Sequence, residues 1–227
     1  MCGRYEFTQP VGKEFDFIQW PEIQPSLEIK PSNAAPVILS AGKDNYEVQF
    51  RHWGFVRFWP GKTGKLTKKF LINAKSETIT MTKNFKKAFA ERRCLIPLNA
   101  WFEWPEDPKI NEGVKTKVRL YMPDRPTFGA AGIYEDKIEQ DTGEVTRYFS
   151  MVTVDPEQYT KINFIHDRSP MVLAASDYET WLQGSPEQAE SLLHPYPDPD
   201  AFAFEIPSGE IKGNKESGQS SLDIFNR

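Results

Sequence analysis

The chain has 227 residues, 39% hydrophobic and 26% charged, and a formal net charge of −4. This length favours one large domain with a substantial core, and the composition is that of an ordinary globular protein. Only two cysteines, Cys2 and Cys94, exclude a disulfide scaffold and point to a reducing cytoplasm.

No apolar run nears the ~18 residues of a membrane span, and MCGRYEFTQP lacks an export signal's apolar core. In chain order, CGRYEFT reads as a strand, followed by an amphipathic helix near residues 11–20. PEIQP and KPSNAAP are proline-punctuated loops. Val37–Leu39 and Tyr46–Val56 read as strands flanking an Asp44-Asn45 turn. Residues 59–69 (WPGKTGKLTKK) read as a glycine- and lysine-rich loop; its GKTGK does not meet the phosphate-loop pattern. Thr82 fits as the cap of a helix through Arg92, with Phe85 and Phe89 on one face. Residues 94–104 (CLIPLNAWFEW) read as a buried strand with a bend, and 114–122, 127–134 and 146–154 alternate like antiparallel strands. Ser185-Pro186-Glu187-Gln188 is a capping box with proline at the first helical position, opening a helix to about His194. The pattern predicts a single α+β domain over residues 1–207, built on a curved, mostly antiparallel, barrel-like sheet with peripheral helices. Residues 208–227 are polar and read as a flexible tail.

The net charge of −4 argues against a nucleic-acid binder, but its distribution does not. Residues 177–227 hold ten acidic against three basic residues, so the remainder carries +3. Between Val48 and Ser76 no acidic residue occurs, and Arg51, Arg57, Lys62, Lys65, Lys68, Lys69 and Lys75 are interleaved with Trp53, Phe55, Phe58 and Trp59. Bases stack on exposed rings for about 1–3 kcal/mol each. A basic run is more often a solvated face, and the Trp/Phe alternation also fits a half-buried strand.

Cys2 carries the most specific chemistry. Once Met1 is removed, Cys2 presents a free amine and a free thiol on adjacent carbons. Such an aminothiol attacks an aldehyde through nitrogen, and the thiol then closes a five-membered thiazolidine. An α-amine is roughly 10% neutral at pH 7, against about 0.04% for lysine. Cys94, beside Leu95 and Ile96, reads as packing. Cysteines and histidines show no metal-ligand spacing, so no metal and no cofactor is expected.

Read with its neighbours, Met-Cys-Gly-Arg-Tyr resembles the start of the SOS-response-associated peptidase family, the abasic-site processing proteins. Further segments resemble that family's motifs in order: Asn33-Ala34-Ala35-Pro36; Asn73-Ala74-Lys75-Ser76-Glu77-Thr78; Arg93-Cys94-Leu95-Ile96-Pro97 through Trp101-Phe102-Glu103-Trp104; and Ile165-His166-Asp167-Arg168-Ser169-Pro170. The resemblance implies a covalent crosslink between Cys2 and the ring-opened aldehyde of an abasic site in single-stranded DNA. It assigns Asn73 to orienting the α-amine, Glu103 to general acid–base work, and His166 to protonating the sugar oxygen or holding phosphate. Arg4, Lys75 and Arg168 fall at phosphate-contacting positions. Lys75 stands where the family has arginine, and Ser169 where it has methionine. Trp53 and the segment after it are assigned to a wedge at a single-strand/duplex junction.

Two rival readings are a cysteine peptidase using Cys2 with His166 and Glu103, active on its own Met1, and a non-catalytic single-strand binder. The expected partner is single-stranded DNA bearing abasic sites, including single-strand/duplex junctions. The expected state is a monomer in the cytoplasm, nucleoid-associated in a bacterium, with no membrane contact.

Overall fold

The computed structural model describes residues 2–10, 12–61, 64–106, 110, 116–138 and 142–207. It is dominated by antiparallel strands. Strands β3 (Ala34–Gly42), β4 (Asn45–Trp53), β8 (Arg93–Leu98), β11 (Phe128–Ile138) and β12 (Val145–Val154) run in the order β11-β8-β3-β4-β12. Because β11 also pairs with β12, the five close into a ring, which removes the open sheet edge. β7 (Asn73–Lys75) and β13 (Ser169–Pro170) extend the pairing along β12. A second sheet has the order β14-β10-β9-β1-β2: Ala203–Glu205, Val118–Tyr121, Ala100–Glu103, Tyr5–Phe7 and Ser26–Ile29.

Alternation along the strands divides the apolar residues between two cores. Ala35, Val37, Leu39, Cys94, Ile96, Leu98, Phe149 and Met151 meet Tyr5, Phe7 and Trp101 in one cluster. Ile38, Leu95, Val152 and Val154 join Phe85, Phe89 and Trp181 in the other, under α1 (Lys86–Glu91) and α2 (Tyr178–Gln183). Arg93 anchors that layer, donating to the carbonyls of Phe89 (2.8 Å), Ala90 (2.9 Å) and Trp181 (2.6 Å). Cys94 is buried packing, as its neighbours imply. The capping box at Ser185 is present and opens α3 (Pro186–Glu190). Among the described residues, no helix is long and apolar enough to cross a membrane.

Four expectations are corrected. Residues 12–18 form turns rather than a helix: Gly12 has φ +86°, and the turns close through Lys13 and Phe15 carbonyls. Tertiary anchors override the helical pattern there, since Phe15 stacks on Tyr178 and Glu14 pairs with Arg125. Residue 11 lies outside the described residues. The 46–56 run is two strands, because Gly54 at φ +113° breaks it and donates to the Phe149 carbonyl at 2.7 Å. A Cβ there would lie 3.0 Å from Ile72 and Phe70 side-chain carbons.

The glycine- and lysine-rich stretch is not an irregular loop. It forms most of a hairpin, β5 (Phe55–Pro60) with β6 (Leu66–Leu71), in register from Phe55↔Leu71 to Pro60↔Leu66. Lys68 lies over Phe70 at 5.0 Å and Lys69 over Trp59 at 5.7 Å, pairings that favour the extended form. Residues 62 and 63 lie outside the described residues. Finally, Thr82 does not cap α1: its hydroxyl donates to the Thr78 carbonyl at 2.8 Å, and the helix starts at Lys86. The expected tail, 208–227, lies outside the described residues.

Candidate active site

The second sheet brings the first residues of the chain beside β9. Tyr5 pairs with Trp101, so the segment before β1 runs towards Glu103. Cys2 is fully buried. Its carbonyl accepts from Asn73 Nδ2 at 2.8 Å, which ties the chain start to β7. Asn73 is itself held by the parallel pairing of β7 with β12, opposite Met151. The other amide atom, Asn73 Oδ1, is buried and has no hydrogen-bond partner among the described residues. Burial raises the Cys2 thiol well above its usual range, and the Glu103 charge pushes it the same way. At neutral pH the sulfur therefore keeps its proton.

Glu103 is 3% exposed, and its Oε1 has no hydrogen-bond partner among the described residues. Burial pushes its carboxyl up to about 7; the positive amino terminus opposes that shift and Asp167 adds to it. A carboxyl titrating near neutrality both takes and gives protons there. His166 Nε2 lies 4.0 Å from Glu103 Oε2. Burial holds this imidazole below its ordinary value. The two side chains share a narrow cleft with Trp101, Leu120, Ile162 and Ser169. No group of three or more candidate metal ligands occurs among the described residues.

The remaining predicted residues separate. Arg168 is 8% exposed and grips Glu77 with two bonds of 2.7 and 3.0 Å, while a further donor reaches the Thr153 carbonyl. These bonds brace the wall of the cleft that Arg168 lines. Arg4 is half-buried and paired with Glu28 at 2.9 Å. Lys75 is exposed, just ahead of the 3-10 turn Ser76–Thr78.

Trp53 requires a correction as a DNA wedge. It is fully buried, donates from its indole to the Ile72 carbonyl at 2.9 Å and stacks on Phe149, so no base can reach its face. Within the hairpin, the exposed rings among the described residues are Phe58 and Phe70.

The family model described as SOS response associated peptidase (SRAP) matches residues 1–208. The chain belongs to the SRAP family. A relative from Bacillus subtilis (strain 168), named abasic site processing protein YoaM, is 31% identical over 235 residues, covering 100% of this chain and 99% of the relative. Abasic site processing protein YedK from Escherichia coli (strain K12) is 26% identical over 192 residues, covering 81% and 80%. A solved structure from Bordetella bronchiseptica has the same fold, with a TM-score of 0.74 at 22% identity, covering 91% of this chain and 99% of the other.

Within this SRAP chain, sequence reading left Glu77 and Asp167 without roles. Glu77 lies four residues beyond Asn73 in a quoted motif, yet only tertiary structure reveals Arg168 as its partner. The Arg168 guanidinium is the main reason the Glu77 carboxyl falls below its ordinary value. Asp167 had a local signal, since its Oδ1 lies 2.7 Å from Nδ1 of the adjacent His166.

Proposed function

We propose that this protein captures abasic sites in single-stranded DNA as a covalent thiazolidine on Cys2, after Met1 is removed. Relatives along the whole chain are named abasic site processing proteins, and this reading extends that activity to the present chain. The observation that carries it is the Asn73 bond to the Cys2 carbonyl, which fixes the chain start beside a buried carboxyl titrating near 7.

The chemistry follows from the protonation states. Removing Met1 leaves an α-amine, whose neutral fraction at pH 7 is useful. Asn73 Oδ1, buried and without a partner among the described residues, is an acceptor suited to one of its hydrogens. Glu103 as carboxylate takes the proton from the sugar hydroxyl as the ring opens, and His166 protonates the departing ring oxygen. The amine adds to the aldehyde carbon and the carbinolamine loses one water to give an imine. The Cys2 S–H then adds across the C=N bond, sulfur to carbon and hydrogen to nitrogen. The sum is amine, thiol and aldehyde combined with loss of one water.

The order of nitrogen before sulfur follows from the buried thiol. A cysteine peptidase needs a thiolate, and burial and the Glu103 charge both oppose one at Cys2. This disfavours a peptidase acting on other proteins. The hairpin, with Lys65, Lys68 and Lys69 beside exposed Phe58 and Phe70, supplies the features a single strand binds. Incubation with single-stranded DNA with and without an abasic site tests the reading. It predicts a denaturant-stable band with the abasic DNA alone, lost in Cys2→Ala. Gel shifts of both DNAs without such a band favour a simple binder, and peptide cleavage without DNA favours a peptidase.

A further inference from the structure

His166 Nδ1 has two neighbours that cannot be satisfied together. The Arg168 backbone N–H donates to it at 3.0 Å, which requires an unprotonated Nδ1. Asp167 Oδ1 lies 2.7 Å from the same atom, which requires Nδ1–H. With Arg168 as partner, the neutral ring carries its proton on Nε2 and gives it towards Glu103. With Asp167 as partner, the neutral ring carries its proton on Nδ1 and leaves Nε2 bare, able to accept one.

We propose that Asp167 is a positioning residue that selects the Nδ1–H form of His166, so that one proton passes between Glu103 and His166 Nε2. The proposal rests on the crosslinking function above. An aspartate holding an imidazole in the required tautomer is a general catalytic device. Arg168 is kept in place by Glu77 and the Thr153 carbonyl, so its N–H is a fixed competitor and the exposed Asp167 side chain is the movable one. Around His166 stand Glu103 from β9, Glu106 just beyond it, Asp167 from its own turn and the positive amino terminus, with the Glu77–Arg168 pair behind. Asp167 acts in one direction on both partners, favouring the protonated form of His166 and of Glu103. At 82% exposure its charge is well screened, so its effect is smaller than that of the acid–base groups it serves.

Nitrogen-15 NMR of the imidazoles, on the purified protein without DNA, reads tautomer and midpoint directly, with His166→Gln assigning the signal. Wild type is expected to hold the Nδ1–H tautomer; Asp167→Asn is expected to shift the ring to Nε2–H and lower its midpoint, and Asp167→Glu to restore both. In parallel, Asp167→Asn should slow adduct formation about fivefold at pH 7 and shift the pH profile to lower pH, with Asp167→Glu within about twofold of wild type. An unchanged tautomer and midpoint in Asp167→Asn would overturn the proposal. A wild-type protein that forms no adduct strikes the functional reading alone, because the imidazole titration needs no DNA.

Discussion

At the cleft, Cys2 is 0%, Glu103 3% and Arg168 8% exposed; on the β5–β6 hairpin, Phe58 is 52% and Leu66 62% exposed. The cleft holds few charges, most of them paired or desolvated. The hairpin holds unburied lysines and rings on strands that contribute little to either core. The contrast separates two tasks. Burial tunes protons for chemistry, since desolvation moves a pKa and strengthens nearby electrostatics. Exposure suits a charged polymer, whose binding comes from counterion release and stacking. The contrast also explains the basic run: Arg51 and Arg57 are tied to Asp136 and Glu135, so the hairpin lysines carry the usable charge.

The sharpest way to break this division is Glu103→Gln. It should slow adduct formation about a hundredfold or more while leaving single-strand affinity unchanged, as read by adduct kinetics and fluorescence anisotropy. An equal loss in both would merge the two regions into one.

The same substitution has a stability consequence of the opposite sign. The folded state holds the Glu103 proton up to about 7, against a usual value of 4.5. Between those values the folded state binds more protons than the unfolded chain, so this group's contribution to stability falls as pH rises through the window. Glu103→Gln escapes that fall. Denaturant titrations should show it more stable than wild type at pH 8, by up to about 3 kcal/mol, with the difference closing near pH 4.

On the hairpin, replacing Lys65, Lys68 and Lys69 together by alanine should weaken single-strand binding about tenfold at moderate salt. The slope of log affinity on log salt should drop by roughly 2. At saturating DNA the rate of adduct formation should be unchanged. The smallest effect is expected at Ser150, a third kind of polar residue. Its hydroxyl is buried with no hydrogen-bond partner among the described residues, opposite Ile133 and outside the cleft lining. Ser150→Ala should be neutral or stabilising by about 1 kcal/mol, with adduct formation untouched. By contrast, the buried atoms of Asn73 and Glu103 that lack a partner among the described residues belong to side chains that neighbour Cys2.

Much of this molecule was legible before its structure. Period-two alternation located β10, β11 and β12, the buried run 94–104 located β8 and β9, and the capping box located α3. What stayed hidden depended on distant partners. Trp53 and Phe58 look alike in an aromatic-basic run, yet Trp53 points into the core and Phe58 outward, a distinction set by strand phase and the break at Gly54. The resemblance put Arg168 at a phosphate-contacting position but gave no sign of Glu77, 91 positions away, as the partner of its guanidinium. The expected helix over residues 11–20 failed because Glu14 and Phe15 answer to Arg125 and Tyr178, more than a hundred residues distant. Local pattern fixes the strand faces; the pairing of charges is a tertiary property.

The central claim is that Cys2, freed of Met1, bonds to the abasic aldehyde through both nitrogen and sulfur. Intact-mass spectrometry of the denatured product with an abasic single strand tests it most directly. The account predicts a species equal to the chain without Met1 plus the oligonucleotide, less one water, with the bond mapped to Cys2. A fully retained Met1, or an adduct that persists in Cys2→Ala, would contradict it.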